Sequence, residues 1–141
     1  MKTLLKTALP ALLLGALAGP ALAGPAADLA ARRIEAIARG DVAAITGAYA
    51  EGATLQWVGG PLDGAYSGPA LAEVWGKFAK AQGPLKAAVT SVAESANPKG
   101  ATVSSDVVFT GKSQIKVRYI QLYREGKLTG EIWQVDPNLP G

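Results

Sequence analysis

Hydrophobic and polar side chains alternate most regularly near the end of the chain. Residues 113–136 read SQIKVRYIQLYREGKLTGEIWQVD, two runs rich in β-branched and aromatic residues. We predict a β-hairpin in which residues 124–126 form a three-residue loop with Gly126 in the left-handed conformation, because a two-residue loop would force a positive φ on Glu125. The predicted cross-strand pairs are Tyr123 with Lys127, Tyr119 with Glu131, and Val117 with Trp133.

Both faces of this hairpin are partly apolar. One face carries Val117, Tyr119, Gln121, Glu131 and Trp133. The other face carries four aliphatic residues that would form a contiguous apolar patch in water, namely Ile120, Leu122, Leu128 and Ile132. A sheet with two such faces needs a cover on each. We therefore expect helices over one face and a homodimer interface on the other, outer face.

Helical periodicity dominates the earlier part of the chain. Residues 26–39 form an amphipathic pattern that Gly40 ends, and Asp41 caps a second, short helix through residue 48. Pro69 opens a third helix. Its apolar stripe, which we interpret as core packing, comprises Leu71, Val74, Trp75 and Phe78.

Arg33 interrupts the apolar side of the first helix. It lies one helical turn from both Leu29 and Ile37. Its guanidinium must either snorkel around the helix edge or meet a partner inside the fold. The pattern of the helix alone favours snorkelling.

The remaining elements are strands. They are predicted at residues 53–58, 85–96, 101–110, 115–124 and 127–136, with a glycine-rich loop at residues 59–64 that we interpret as a flexible rim. The order is helix, helix, strand, helix and then a four-strand meander. This order predicts an α+β fold with its helices gathered on one face of a curved sheet.

The N-terminus has the pattern of a secretory signal. Lys2 and Lys6 precede an apolar run at residues 8–18, and residues 21–23 read Ala-Leu-Ala, the small-x-small pattern before a cleavage site. The run is about half of the roughly 20 residues that a membrane-spanning helix needs. We predict cleavage after Ala23 and a single exported domain at residues 24–141, periplasmic or secreted and without a membrane anchor.

Composition excludes several classes of function. Lys2 and Lys6 are two of the 14 basic residues, so residues 24–141 carry 12 against 11 acidic residues, and no basic run indicates nucleic-acid binding. The chain has no cysteine and no histidine, which removes disulfides, catalytic triads and the commonest general base. The carboxylates have no metal-ligand spacing, and no cofactor motif is present, so we expect no metal and no cofactor.

The element order resembles that of SnoaL-like proteins of the NTF2-like superfamily. The segments that carry the resemblance are RIEAIARGDVAAITGAYAEG from Arg33, the Ser67-Gly68-Pro69 helix start and the closing GKLTGEIWQVD. The resemblance implies a cone in which a strongly curved, mostly antiparallel sheet wraps a long N-terminal helix, with two further helices and an apolar cavity open at one end. It says little about activity, because the superfamily contains isomerases, cyclases, dehydratases, ligand carriers and interaction domains.

The residues of one catalytic branch of the superfamily are not matched. In ketosteroid isomerases, a first-helix Tyr, a first-strand Asp and a protonated late-strand Asp perform the chemistry. An alignment through the Gly40-Asp41 corner puts Arg33, Trp57 and Tyr119 at those positions. Catalysis therefore ranks lower than binding. An isomerase or dehydratase would need Glu131 as its base, and a neighbouring Arg33 would lower the pKa of that carboxyl.

The same alignment implies a different cavity lining. The residues that would converge inside the cone, and that we predict to bind a small apolar or aromatic ligand, are Arg33, Trp57, Val107, Phe109, Tyr119, Gln121, Glu131 and Trp133. In this hypothesis Arg33 and Tyr119 hold the polar end of the ligand. Two alternatives stay open: a purely structural Arg33–Glu131 pair, and a non-catalytic dimeric interaction domain with a filled cavity.

The cleavage site is directly testable. We expect the exported protein to begin at Gly24, because the small-x-small triplet immediately precedes it. Intact-mass measurement of the exported fraction checks this. A species that retains residues 1–23 would show an uncleaved anchor instead.

Overall fold

A computed structural model describes residues 24–141 of the chain. The predicted signal peptide, residues 1–23, lies outside the described residues. The helices are α1 (Pro25–Arg39), α2 (Val42–Gly47) and α3 (Pro69–Gln82). The strands are β1 (Tyr49–Val58), β2 (Gly64–Ser67), β3 (Lys86–Asn97), β4 (Gly100–Thr110), β5 (Gln114–Arg124) and β6 (Lys127–Val135).

One curved sheet contains the six strands, in the order β2-β1-β6-β5-β4-β3. Only β1 and β6 run parallel, and every other pair is antiparallel. The inner side of the sheet faces α1, so the predicted α+β architecture with its mostly antiparallel curved sheet is confirmed. Among residues 24–141, no helix is both long and apolar enough to cross a membrane.

Local sequence signals set the helix ends. Gly40 adopts the left-handed conformation, with φ 71°, and its N–H bonds the last carbonyls of α1. The Asp41 carboxylate accepts the Ala44 N–H at 3.1 Å and so caps α2. Pro69 occupies the first turn of α3, where its missing N–H costs nothing. These three residues mark the end of α1 and the starts of α2 and α3.

Two strand predictions require correction, one at each end of β1. β1 begins at Tyr49 rather than at residue 53, so residues 49–52 extend the strand. The predicted loop at residues 59–64 leads directly into β2, a four-residue strand that pairs with β1. β2 is too short to show an alternating pattern, which is why periodicity did not reveal it.

The hairpin register also differs from the prediction. Arg124 pairs with Lys127 across a two-residue turn in which both Glu125 (φ 50°) and Gly126 (φ 76°) have positive φ. Tyr119 therefore pairs with Trp133, and Gln121 pairs with Glu131. The strand twist favours this mirror-image turn enough to outweigh the cost of a left-handed glutamate.

A β-bulge next to the turn changes the face of one residue. Tyr123 pairs with Leu128 while Leu122 pairs with Gly130, so Thr129 is the extra residue. Leu128 consequently turns inward and is fully buried, contrary to the prediction that it lies on the outer face. The inner set of the hairpin is otherwise as predicted, because the register error amounts to an even number of residues.

The outer face is less apolar than the sequence indicated. Leu122 and Ile132 remain exposed there, but Leu128 no longer contributes. The C-terminal tail also packs on this side: Leu139 is buried, and Lys116 Nζ donates to the Leu139 carbonyl at 2.9 Å. A homodimer through the outer face stays a prediction.

The turn geometry predicts opposite effects for its two residues. Glu125→Asn should raise the free energy of unfolding by about 0.5–1 kcal/mol, because asparagine tolerates the left-handed conformation that glutamate resists. Gly126→Ala should lower it by about 1 kcal/mol for the same reason. Urea unfolding of both variants shows whether the two unfolding free energies change in these opposite directions. A loss of stability in Glu125→Asn would contradict the two-residue turn.

Candidate functional site

A buried polar cluster joins the helices to the sheet. Its centre is an ion pair between Arg33 of α1 and Glu131 of β6, with Arg33 Nε and Glu131 Oε1 3.2 Å apart. Arg33 is 4% exposed, so its guanidinium does not snorkel to the surface as the helix pattern had favoured. A charge at this depth requires partners on all sides.

The Glu131 carboxylate has its full set of donors. Oε1 accepts from Arg33 Nε and from the Tyr119 hydroxyl, and Oε2 accepts from Arg33 Nη2 and from the Tyr49 hydroxyl. A carboxylate has about four lone-pair sites, so the four donors saturate it. No site on Glu131 is left for a substrate proton.

Arg33 is held by three further contacts around the same centre. Its Nε also lies 2.7 Å from the Tyr119 hydroxyl, and Nη1 donates to the Ile45 carbonyl of α2 at 2.7 Å. The guanidinium stacks over the Tyr49 ring, with Cζ 4.6 Å from the ring centroid. Trp75 of α3 completes the cluster by donating Nε1 to the Tyr49 hydroxyl at 2.7 Å.

Burial and charge shift the proton affinities of these groups. Burial penalises the phenolates and raises the pKa of Tyr119 and of Tyr49, and the Glu131 charge adds to both shifts. Burial lowers the pKa of the Arg33 guanidinium, but its interactions with Tyr119, Glu131 and Tyr49 outweigh burial and raise the pKa overall. Arginine therefore stays charged and both tyrosines stay neutral donors at physiological pH.

An aromatic layer separates this cluster from the open end of the cone. Trp133 is its central member: its ring centroid lies 5.1 Å from that of Tyr119 on one side and 5.1 Å from that of Trp57 on the other. The rings that surround it are Trp57, Trp75, Phe78, Phe109 and Tyr119. Aromatic rings thus fill part of the interior of the cone, in which the resemblance implied an apolar cavity open at one end.

A pocket of about 330 Å³ opens above the aromatic layer. We call it the mouth pocket. Trp57, Phe78 and Trp133 line it together with residues of the β1–β2 loop, α3 and the ends of β5 and β6, namely Gly60, Pro61, Leu62, Lys77, Ala81, Gln82, Ile115 and Val135. Among these lining residues there is no carboxylate, and Lys77 is the only charged one.

The rim loop beside this pocket is internally braced. Gly59 N–H donates to Asp63 Oδ1 at 2.7 Å, and the Tyr66 hydroxyl donates to the Leu62 carbonyl at 2.6 Å. These bonds fix the loop that we had interpreted as a flexible rim. They hold Pro61 and Leu62 as a wall of the mouth pocket.

The predicted site residues fall into three groups. Arg33, Tyr119 and Glu131 form the polar cluster, while Trp57 and Trp133 reach the mouth pocket. Val107 and Phe109 are buried in the main core. Gln121 is fully buried nearer the narrow end, where its Oε1 accepts from Tyr123 and its Nε2 has no partner among residues 24–141. Their predicted role in ligand binding stays a prediction.

Several residues of the site were not predicted. Tyr49, directly after the second helix, was given no role, and Trp75 and Phe78 were assigned to the core stripe, yet Tyr49 and Trp75 belong to the polar cluster and Phe78 lines the mouth pocket. The pocket walls come from loop and strand-end residues that have no periodicity. The aromatic residue directly after the second helix was the one available signal for Tyr49.

Comparison with solved structures identifies the fold. A protein of unknown function with a cystatin-like fold from Nostoc punctiforme PCC 73102 superposes with a TM-score of 0.64 at 19% identity, over 80% of this chain and 90% of that chain. An NTF2-like protein of unknown function from Pseudomonas putida KT2440 gives 0.63 at 16% identity, over 76% and 81%. The chain therefore has an NTF2-like fold, as the resemblance implied.

One enzyme is also among the similar structures. SalBIII, an epoxide hydrolase/cyclase-like enzyme with a role in pyran ring formation in the polyether salinomycin, gives a TM-score of 0.57 at 18% identity, over 78% of this chain and 89% of that chain. No protein-family model and no curated protein matches the sequence. At these identities the structural similarities establish the fold alone.

The polar cluster predicts strong coupling between its two charges. Arg33→Met leaves the buried Glu131 carboxylate without its cation and should cost about 3–5 kcal/mol of unfolding free energy, and Glu131→Gln should be similarly destabilising. The double variant should recover much of that loss. Urea unfolding of the four proteins gives the coupling energy, and losses that simply add would show two independent charges.

Tyr119→Phe provides a control for the same cluster. The hydroxyl is buried and contacts both Arg33 and Glu131. Its removal should cost about 1–3 kcal/mol, in contrast to the small effect expected if the hydroxyl met only a ligand. A fully stable Tyr119→Phe protein would contradict the contacts described above.

Proposed function

We propose that this protein is an exported pocket protein that binds a small, largely apolar or aromatic molecule in the mouth pocket. The observation that carries the proposal is the pocket itself, which is floored by Trp57, Phe78 and Trp133 at the open end of the cone. Its volume of about 330 Å³ lies at the lower end of the range for small-molecule sites.

The chemistry of the lining favours a flat ligand with few polar groups. Two indole rings and one phenyl ring offer stacking and edge contacts, which favour an aromatic or conjugated ring system. Lys77 at the rim favours a ligand with an acidic group at its outer end.

An enzymatic function is the alternative. An isomerase or dehydratase acting on a small hydrophobic substrate would need a general base, and SalBIII illustrates that a related fold supports chemistry on an organic substrate. Here Glu131 is saturated by four donors, and the mouth pocket has no carboxylate in its lining. Both observations favour binding without proton transfer.

Binding of a fluorescent apolar anion, anilinonaphthalene sulfonate, tests the proposal. We expect saturable binding with energy transfer from tryptophan, since Trp57 and Trp133 line the pocket. Ala81→Phe places a ring in the mouth and should weaken binding at least about tenfold, equivalent to 1.4 kcal/mol. Ala72→Phe is the matched control: it adds the same ring on an exposed part of α3 that does not line the pocket.

Lys77→Gln separates the charge from the apolar contacts. It should weaken binding of the sulfonate probe several-fold and leave binding of the neutral probe naphthol unchanged, because only the sulfonate interacts with the Lys77 charge. Equal binding by wild type and Ala81→Phe would place the site elsewhere. Native mass spectrometry of protein from its source organism would then reveal whether any small molecule is retained, and an empty protein that self-associates would favour the interaction-domain alternative.

A further inference from the structure

Strand β3 is a long and unprotected sheet edge. It has twelve residues and pairs only with β4, whereas β2, at the opposite edge, has four. None of its residues is buried. Within residues 24–141, no other segment forms backbone hydrogen bonds with its free side. Native sheets usually keep such edges short or charged, because a row of unpaired N–H and C=O groups pairs readily with another strand.

The centre of this edge has no charge to discourage pairing. Residues 87–93 read AAVTSVA, and Pro84 and Pro98 both lie outside the strand. The two charged residues, Lys86 and Glu94, have opposite signs, so a second copy of the strand meets no net repulsion. Glu94 is also engaged with its own chain, since its Oε1 accepts the Ala27 N–H of α1 at 2.8 Å.

A β-bulge at Thr90 brings two valines to the same face. Val89 pairs with Val107 and Val92 pairs with Ser105, while Ser91 pairs with Asp106, so the regular alternation is shifted by one residue. Both valines consequently point to the inner side of the sheet. They are 46% and 55% exposed, the two most exposed large aliphatic residues among those described.

The strand is also nearly palindromic about this bulge. Residues 88–93 read Ala-Val-Thr-Ser-Val-Ala, which is the same pattern in both directions when Thr and Ser are equated. An antiparallel copy centred between Thr90 and Ser91 therefore places Val89 opposite Val92 and Ala88 opposite Ala93. Each pair matches in size, as cross-strand neighbours require.

The bulge places the residues that would pair across the two copies on the same face of the sheet. In a regular strand, residues 89 and 92 point to opposite faces, and a two-fold axis perpendicular to the sheet cannot pair them. With the bulge, Val89 and Val92 are both inner and Ala88 and Ala93 are both outer. Two copies can then join with both concave sides on the same side of one continuous sheet.

We propose that β3 pairs with β3 of a second copy of this chain, antiparallel and about a two-fold axis at the bulge. The four valines form an apolar cluster on the inner side, where a groove of about 220 Å³ separates β3 from the small residues Ala27, Ala30 and Ala31 of α1. The hydrogen bonds form in two short ladders that flank the bulge, each joining residues 86–89 to residues 92–95 of the second copy. This interface is distinct from the outer face, which the tail partly covers.

Self-association of the protein expressed from its complete sequence tests the proposal. Sedimentation over a concentration series should show a dimer. Val92→Lys should weaken association at least about tenfold, because each dimer contains the substitution twice in its apolar cluster. Val58→Lys is the matched control, since Val58 is 42% exposed on β1, far from β3 near the opposite edge of the sheet, and should leave association unchanged. Thermal unfolding verifies that each variant is folded.

Cysteine cross-linking reports the register directly, and the chain has no cysteine of its own. Ala88→Cys protein mixed with Ala93→Cys protein should form a disulfide-linked pair under mild oxidation, because directly opposite residues lie within reach of a short cross-link. Ala88→Cys mixed with Ala65→Cys, on the opposite edge of the sheet, should not. A monomer at all concentrations would overturn the proposal. So would a dimer that survives Val92→Lys but is lost in Leu122→Lys, or a cross-link that forms equally in the control mixture.

Discussion

The buried pair of Arg33 and Glu131 is the interaction on which the arrangement of the elements depends. It connects α1 to β6, and its remaining donors and acceptors extend to α2 through Ile45, to β1 through Tyr49 and to β5 through Tyr119. Desolvating two charges costs several kcal/mol, which only a complete set of partners can offset. Each of these elements must therefore be in place before the pair becomes favourable, and this condition makes the narrow half of the cone cooperative.

The aromatic layer divides the interior into a polar part and an apolar part. Below it, polar groups satisfy one another, and no lone pair of Glu131 is left for an outside molecule. Above it, the wall is apolar and open, and Trp133 belongs to both sides. In the function proposed above, the Arg33–Glu131 pair is structural and the ligand binds at the mouth, where stacking and one rim cation are the available interactions.

The sequence predicted the fold well because long periodic segments carry it, and it predicted part of the site. The amphipathic pattern of α1, the cap at Asp41 and the alternation of β5 and β6 were sufficient for the architecture. The burial of Arg33 was not predictable from its helix, because a snorkelling and a buried arginine give the same sequence pattern. Which of the two occurs depends on whether the sheet places a partner such as Glu131 opposite the helix. The mouth pocket depends on Pro61, Leu62, Ile115 and Val135, which come from different elements and meet only in three dimensions.

The bulge at Thr129 links the ion pair to the strand register. Without it, the turn that pairs Arg124 with Lys127 would place Glu131 opposite Ile120 on the outer face and turn Ile132 inward. That register would also turn Trp133 outward and Gln134 inward, so the loss of apolar burial disfavours it. It would in addition leave the Arg33 charge buried without its carboxylate, a penalty of about 3–5 kcal/mol. An apolar replacement at residue 131 would leave Arg33 unpaired in either register, so the ion pair would no longer distinguish the two registers. The charge pair and the burial of Trp133 thus favour the same register of β6.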